Sequence, residues 1–243
     1  MISMVSVNLK SLGWKHSIWL LYVCLFVFVV PYLLDNVIEA PIDLYCLIFL
    51  AGSIAFIAIY RHFTFFEIRA SLNSGWALGS IMAVFIGLGF ISFAADDSRK
   101  IADSLEKVDM LIIIWRGVVF GGAAGIMISA FPFVIVWRSF AGSNPGKFRK
   151  FSTALAAGVS IAVASFCNHL GKTGLDREIM NNQIEKNIVA GLPTLLSGNP
   201  LAAPVAGAFL SVSELMKLQD ELQRPIPGGN EIANTPRQTG GAN

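Results

Sequence analysis

The chain is poor in charge. Asp, Glu, Lys and Arg make up 14% of its 243 residues while hydrophobic residues reach 54%; soluble domains carry roughly 25% charged residues. A water-soluble globule would lack the polar surface to cover so much apolar material. Net charge is small as well, +2 from 18 basic and 16 acidic side chains. The basic residues sit in loops rather than along one stripe, which sets nucleic-acid binding aside. Cysteine is scarce: Cys24, Cys46 and Cys167 fall in or beside apolar runs at differing depths. An odd, scattered set does not make a disulfide framework, and the three read as small buried apolar side chains. The three histidines, His16, His62 and His169, are spread over both faces, so neither a metal cluster nor a haem held mid-bundle is expected, and no cofactor is.

Enzyme signatures are missing too. There is no His-Glu-x-x-His, no Gly-x-Ser-x-Gly and no Gly-x-Gly-x-x-Gly. The turn from Gly142 through Gly146 to Lys147 is one residue short of a phosphate loop and has Phe148 where a magnesium-holding Ser or Thr is needed. No catalytic residue is assigned, and the reading leans away from an enzyme.

What the chain has in quantity is long apolar sequence. Five runs, 17–34, 42–60, 76–95, 110–137 and 151–171, are long enough to cross a hydrocarbon core, which takes about 20 apolar residues. The expected fold is all-α: a polytopic helical membrane protein with five to six transmembrane helices and short amphipathic surface helices. A membrane domain covers 1–222 and a disordered tail 223–243, where Pro225, Pro227, Gly228 and Gly229 end any helix. The first run follows Lys10 and Lys15 but is long for a signal peptide and lacks a small-x-small cleavage site, so it reads as a retained span.

The run 110–137 is the centre of this arrangement. Arg116 is its one charged residue, and Gly117, Gly121, Gly125 and Ser129 step by four along one face. Lipid gives apolar helices no hydrophobic reward for touching, so association relies on close backbone approach across small residues. The third run repeats the pattern through Gly75, Gly79, Ala83 and Gly87, and the fifth through Ser152, Ala156, Ser160, Ala164 and Asn168. These three ridges are expected to press together, with the first two spans outside them.

Lys and Arg number two before the first span and none after it, two in 61–75 against three in 95–109, and four in 138–150 against three in 171–187. The excess places the amino terminus in the cytoplasm, and a bacterial inner membrane is the expected location. Trp14, Trp19, Trp76, Trp115 and Trp137 lie near span ends, as in an interfacial belt. Ile101, Leu105 and Val108 predict a short surface helix in one loop, and Thr173 with Asp176 caps another ahead of Ile179, Ile184 and Ile188. The sixth apolar region, 188–212, is interrupted by Pro193, Gly198, Asn199, Pro200 and Pro204. It reads first as a kinked sixth crossing, with a re-entrant pair of half-helices as the alternative.

One polar convergence is expected: Arg116 on the fourth span and Asn168 with His169 on the fifth reach similar depth near the outer face. Arg116 can also serve as a snorkelling anchor beside Trp115. The series Trp115, Arg116, Gly117, then Asn168 and His169, then the Pro204 segment, resembles over a small part of the chain the CPBP-type intramembrane proteases. Where that family places paired glutamates this chain has Leu111 and Ile112. The resemblance therefore implies at most a catalytically degenerate relative. The leading expectation is a protein acting through helix packing and association with other membrane proteins, an accessory or assembly subunit of a larger complex in the lipid bilayer. The alternative is a small transporter or channel using the 188–212 region.

Overall fold

The computed structural model describes residues 13–65, 75–94, 110–140, 146–173 and 177–223. Every regular element among them is a helix: α1 (Trp14–Val37), α2 (Ile42–Thr64), α3 (Trp76–Ala94), α4 (Met110–Phe140), α5 (Lys147–Thr173), α6 (Arg177–Ser197) and α7 (Ala202–Gln223). The first five are long and apolar enough to cross a membrane, and the protein is a helical, multi-pass membrane protein. The surface helix expected at Ile101, Leu105 and Val108, the 142–145 turn and the tail after 223 lie outside the described residues.

Helix α4 holds the centre. Of its most apolar window 67% is buried, against 17% to 39% in the other four spans, and residues 127–139 are buried without interruption. Each wall of α4 meets a different neighbour. On one side α2 lays down Tyr45, Phe49, Phe56 and Tyr60, whose spacing of four and seven keeps them on one face. Their rings meet α4 edge-on, Phe49 on Phe120 at 5.4 Å and Phe56 on Phe131 at 5.1 Å. That geometry sets positive ring edge against negative ring face and contributes about 0.5–1.5 kcal/mol per pair. The far half of α4, Phe131–Phe140, packs on α5 and α1. Trp137 is buried here against Phe133 rather than standing at an interface, whereas Trp14 and Trp76 are exposed.

The small-residue faces of α3 and α4 do not meet one another; α7 lies between them. From the α3 side, a Cβ placed on Gly79 would stand 2.9 Å from Ser197 Oγ and 3.3 Å from the Ala202 Cβ, and one on Gly87 would strike the Phe209 ring. Ala83 between them is fully buried, and Gly75 precedes the helix. From the α4 side, a Cβ on Gly117 would meet Val212, one on Gly121 the Gly207 carbonyl, and one on Gly125 the Ala203 carbonyl. The third ridge does its packing elsewhere: Ser160 and Ala164 are buried and Ala156 half-buried on α5, which packs on α1, α6 and the far half of α4.

The region 188–212 is not one kinked helix. Helix α6 runs from Arg177 through Pro193 to Ser197, merging the amphipathic segment expected after Thr173 with the first half of the proline-broken run. The chain then turns back. Helix α7 runs antiparallel to α4, with Ala203 beside Gly125 and Val212 beside Gly117, and Lys186 of α6 reaches Glu214 of α7 at 3.3 Å. The two form a hairpin whose open end lies at the Met110 end of the bundle.

Its turn is buried, so every backbone group there needs an internal partner. Gly198 turns the chain at φ +72, which a side chain would resist. Ser197 Oγ donates to the Pro193 carbonyl and accepts from the Asn199 N–H at 3.1 Å, while Asn199 Oδ1 accepts from the Leu201 N–H at 2.8 Å. Pro200 sits in the turn and Pro204 in the first turn of α7, where a missing N–H breaks no helical hydrogen bond.

Candidate functional site: a polar cavity at the open end of the hairpin

Where α6 and α7 diverge from α4 and α5, a cavity of about 50 Å³ is left, room for a few water molecules or one small solute. Each of three helices contributes a polar pair at one-turn spacing: Asn168 and Lys172 from α5, Gln183 and Asn187 from α6, Ser211 and Glu214 from α7. The fourth wall is α4, through Phe120, Gly121, Gly125 and Ser129. The absent side chains at Gly121, Gly125 and Gly207 bring α7 onto α4 near mid-bundle.

The α4 wall is irregular in a particular way. Ile113–Phe120 and Ile126–Ala130 are π-helical and frame the α-helical stretch Gly121–Gly125. Such wide turns are rare in helices and concentrate at functional sites.

Two of the charged groups have distinct environments. Glu214 is paired with Lys186. Lys172 makes no ion pair within 4 Å among the described residues; its ammonium stands over the Tyr45 ring at 5.4 Å and the Phe120 ring at 5.6 Å, a cation–π arrangement. The Tyr45 hydroxyl is buried beside this ammonium, with no acceptor for its own proton among the described residues. Around this core the frame is tied down: Asn187 Nδ2 donates to Ser165 Oγ at 2.8 Å, and Asn36 Nδ2 donates to the Gly171 carbonyl at 2.7 Å, holding the α1–α2 connection against the end of α5.

Of the three residues expected to converge, Asn168 lines the cavity and the other two do not. Arg116 turns away to α2, where it grips Asp43 through Nε at 2.9 Å and a second nitrogen at 2.8 Å. That pair is exposed, 28% and 59% by side chain. His169 is buried next to Asn168 but does not line the cavity. Lys172, Gln183, Asn187 and Glu214 do not stand out in the sequence, where Lys172 and Lys186 count as loop charges. The signal that would have found the site is the repeat of polar side chains three or four apart in each of three consecutive helices.

A second polar cluster lies at the opposite, Phe140 end. His16 Nε2 is 2.6 Å from the Tyr60 hydroxyl, and Arg138 lies over the Tyr60 ring while donating to Thr64 Oγ1 at 3.1 Å and to the Thr64 carbonyl at 3.0 Å. All four side chains are buried. Phe65, at φ +49, ends α2 and leaves that carbonyl without a helical donor, so the guanidinium caps α2 and ties it to α4. All three cysteines are free thiols, and Cys24 on α1 lies beside Cys167 on α5. No group of three or more His, Cys, Asp or Glu side chains that could hold a metal occurs among the described residues. Comparison of the chain with protein-family models, curated proteins and solved structures gives no match.

Proposed function

We propose that this protein is a small membrane transporter or channel whose solute occupies the cavity between α4, α5, α6 and α7. The observation that carries the reading is the pairing of a re-entering hairpin with a polar, charged cavity at its open end. Buried helix turns and ionisable side chains are both costly in hydrocarbon and are tolerated where they line a cavity. Broken helices of this kind flank binding sites in transporters. The amino terminus belongs on the cytoplasmic side, supported by the Lys and Arg excess in the loops on that side, which puts the cavity toward the outer face of a bacterial inner membrane.

The association reading draws less support. One of its supports is the small-residue faces, and Gly79 and Gly87 of α3 and Gly117, Gly121 and Gly125 of α4 are spent on α7 and the hairpin turn of the same chain. They are not available to a partner.

The test is flux in vesicles carrying the full chain, measured for chloride, formate, sodium, potassium, protons and urea against protein-free vesicles. Flux of at least one of these is expected, reduced roughly tenfold by Gln183→Leu, the loss of about 1.4 kcal/mol of interaction in the cavity. Vesicles tight to every one of them would overturn the reading.

A further inference from the structure

We propose that the cavity holds one small monovalent anion, of chloride or formate size, with the Lys172 ammonium as its counter-charge. The inference rests on the transport reading and names its substrate class. Three features of the wall carry it. The first is the balance of charge: the acid on the wall, Glu214, is answered by Lys186 at 3.3 Å, while Lys172 has no carboxylate within ion-pair distance among the described residues. Asp35, the other nearby acid, is exposed and does not line the cavity. A cation entering here would meet an ammonium ion. A neutral solute would leave that ammonium with only the longer-range pull of Glu214 and Asp35 and no anion in contact, a costly state for a charge partly withdrawn from water.

The second is the supply of donors. The Asn168 and Gln183 amides and the Ser211 hydroxyl line the same space, and each can turn an N–H or O–H toward an anion. Behind Lys172 the buried Tyr45 hydroxyl has a proton committed to no acceptor. The third is size. The cavity, about 50 Å³, accommodates a halide or a one-carbon carboxylate. Phe120, Ile128 and Leu210 belong to the apolar part of the wall, and apolar surroundings strengthen the attraction between an ammonium and an anion.

The experiment is thermal melting of the purified chain in a neutral detergent, with sodium chloride or sodium formate replaced at constant ionic strength by sodium gluconate. The expected result is a melting temperature that rises with chloride or formate and saturates. Lys172→Met should abolish the rise and Gln183→Leu should weaken it. Glu214→Gln, by removing a negative charge from the wall, should tighten the anion's apparent affinity. A response set by sodium against choline and lost in Glu214→Gln would overturn the proposal in favour of a cation. A melting temperature indifferent to the anion in the wild-type chain would overturn it as well. Flux of sodium, potassium or protons without chloride or formate flux in the vesicle assay would sink the anion while leaving the transport reading standing. Silence of the vesicles to every solute would remove that reading itself.

Discussion

At the scale of single residues, two arginines of α4 show how position decides what a charge does. Arg116 and Asp43 form a two-pronged pair, yet both are open to their surroundings, and an exposed pair gains little over its solvated partners. Arg116→Ala should therefore leave the melting temperature of the detergent-solubilised protein nearly unchanged. Arg138 is the opposite case. Its guanidinium is buried and answers the terminal carbonyl of α2, so Arg138→Met leaves that carbonyl without a donor and should destabilise by about 1–3 kcal/mol. Equal shifts for the two variants would show that burial is not what separates them. Sequence position gives the contrary ranking: Arg116 stands alone in an apolar run and attracts attention, while Arg138 reads as one more basic residue at a span end. Neither Asp43 nor Thr64 is close to its arginine in sequence, and spacing within one helix says nothing about partners on another.

At the scale of elements, the contact between α4 and α7 is made by backbone. A Cβ on Gly125 would come within 2.5 Å of the Ala203 carbonyl oxygen, and one on Gly207 within 2.6 Å of the Gly121 carbonyl oxygen. No rotamer change relieves such a contact, so the helices must separate, and overpacking of this kind costs roughly 1–3 kcal/mol. Gly89 on α3, where an added methyl would find nothing within 4 Å, provides the control. Gly125→Ala is expected to lower the melting temperature and Gly89→Ala to leave it alone; the reverse order would mean that α4 and α7 do not touch in this way.

The spans themselves were legible, because hydrocarbon thickness imposes a length and a composition that a single sequence displays. The centrality of α4 was legible for a related reason: a run with one charge and a glycine every fourth residue has few other uses. What those glycines face was not legible. The candidates were other small-residue ridges, and the true neighbour, α7, carries its own small residues at Ala202, Ala203, Ala206 and Gly207 inside the stretch that looked least regular. The cavity was hidden for the same reason, since each helix supplies two polar residues and no helix supplies enough to stand out.

At the scale of the whole molecule, the direction of α7 decides which face of the membrane receives the Gln223 end of that helix. A kinked sixth crossing and a hairpin demand the same apolar composition and the same prolines; they differ in whether the break reverses the chain. Here the break is closed by Ser197 and Asn199 against their own turn, and Lys186 meets Glu214 only because α7 comes back. Lys217 must then share a face with Met110 and lie opposite Phe148, and all three are exposed. A chain with Cys24, Cys46 and Cys167 replaced by alanine, and one new cysteine at Met110, Phe148 or Lys217, can be labelled in sealed vesicles with a maleimide that does not cross lipid. Met110→Cys and Lys217→Cys should react from one side and Phe148→Cys from the other, whichever side is cytoplasmic. Labelling of Lys217→Cys from the side of Phe148→Cys would restore the sixth crossing, open the turn and take away the wall on which the cavity depends.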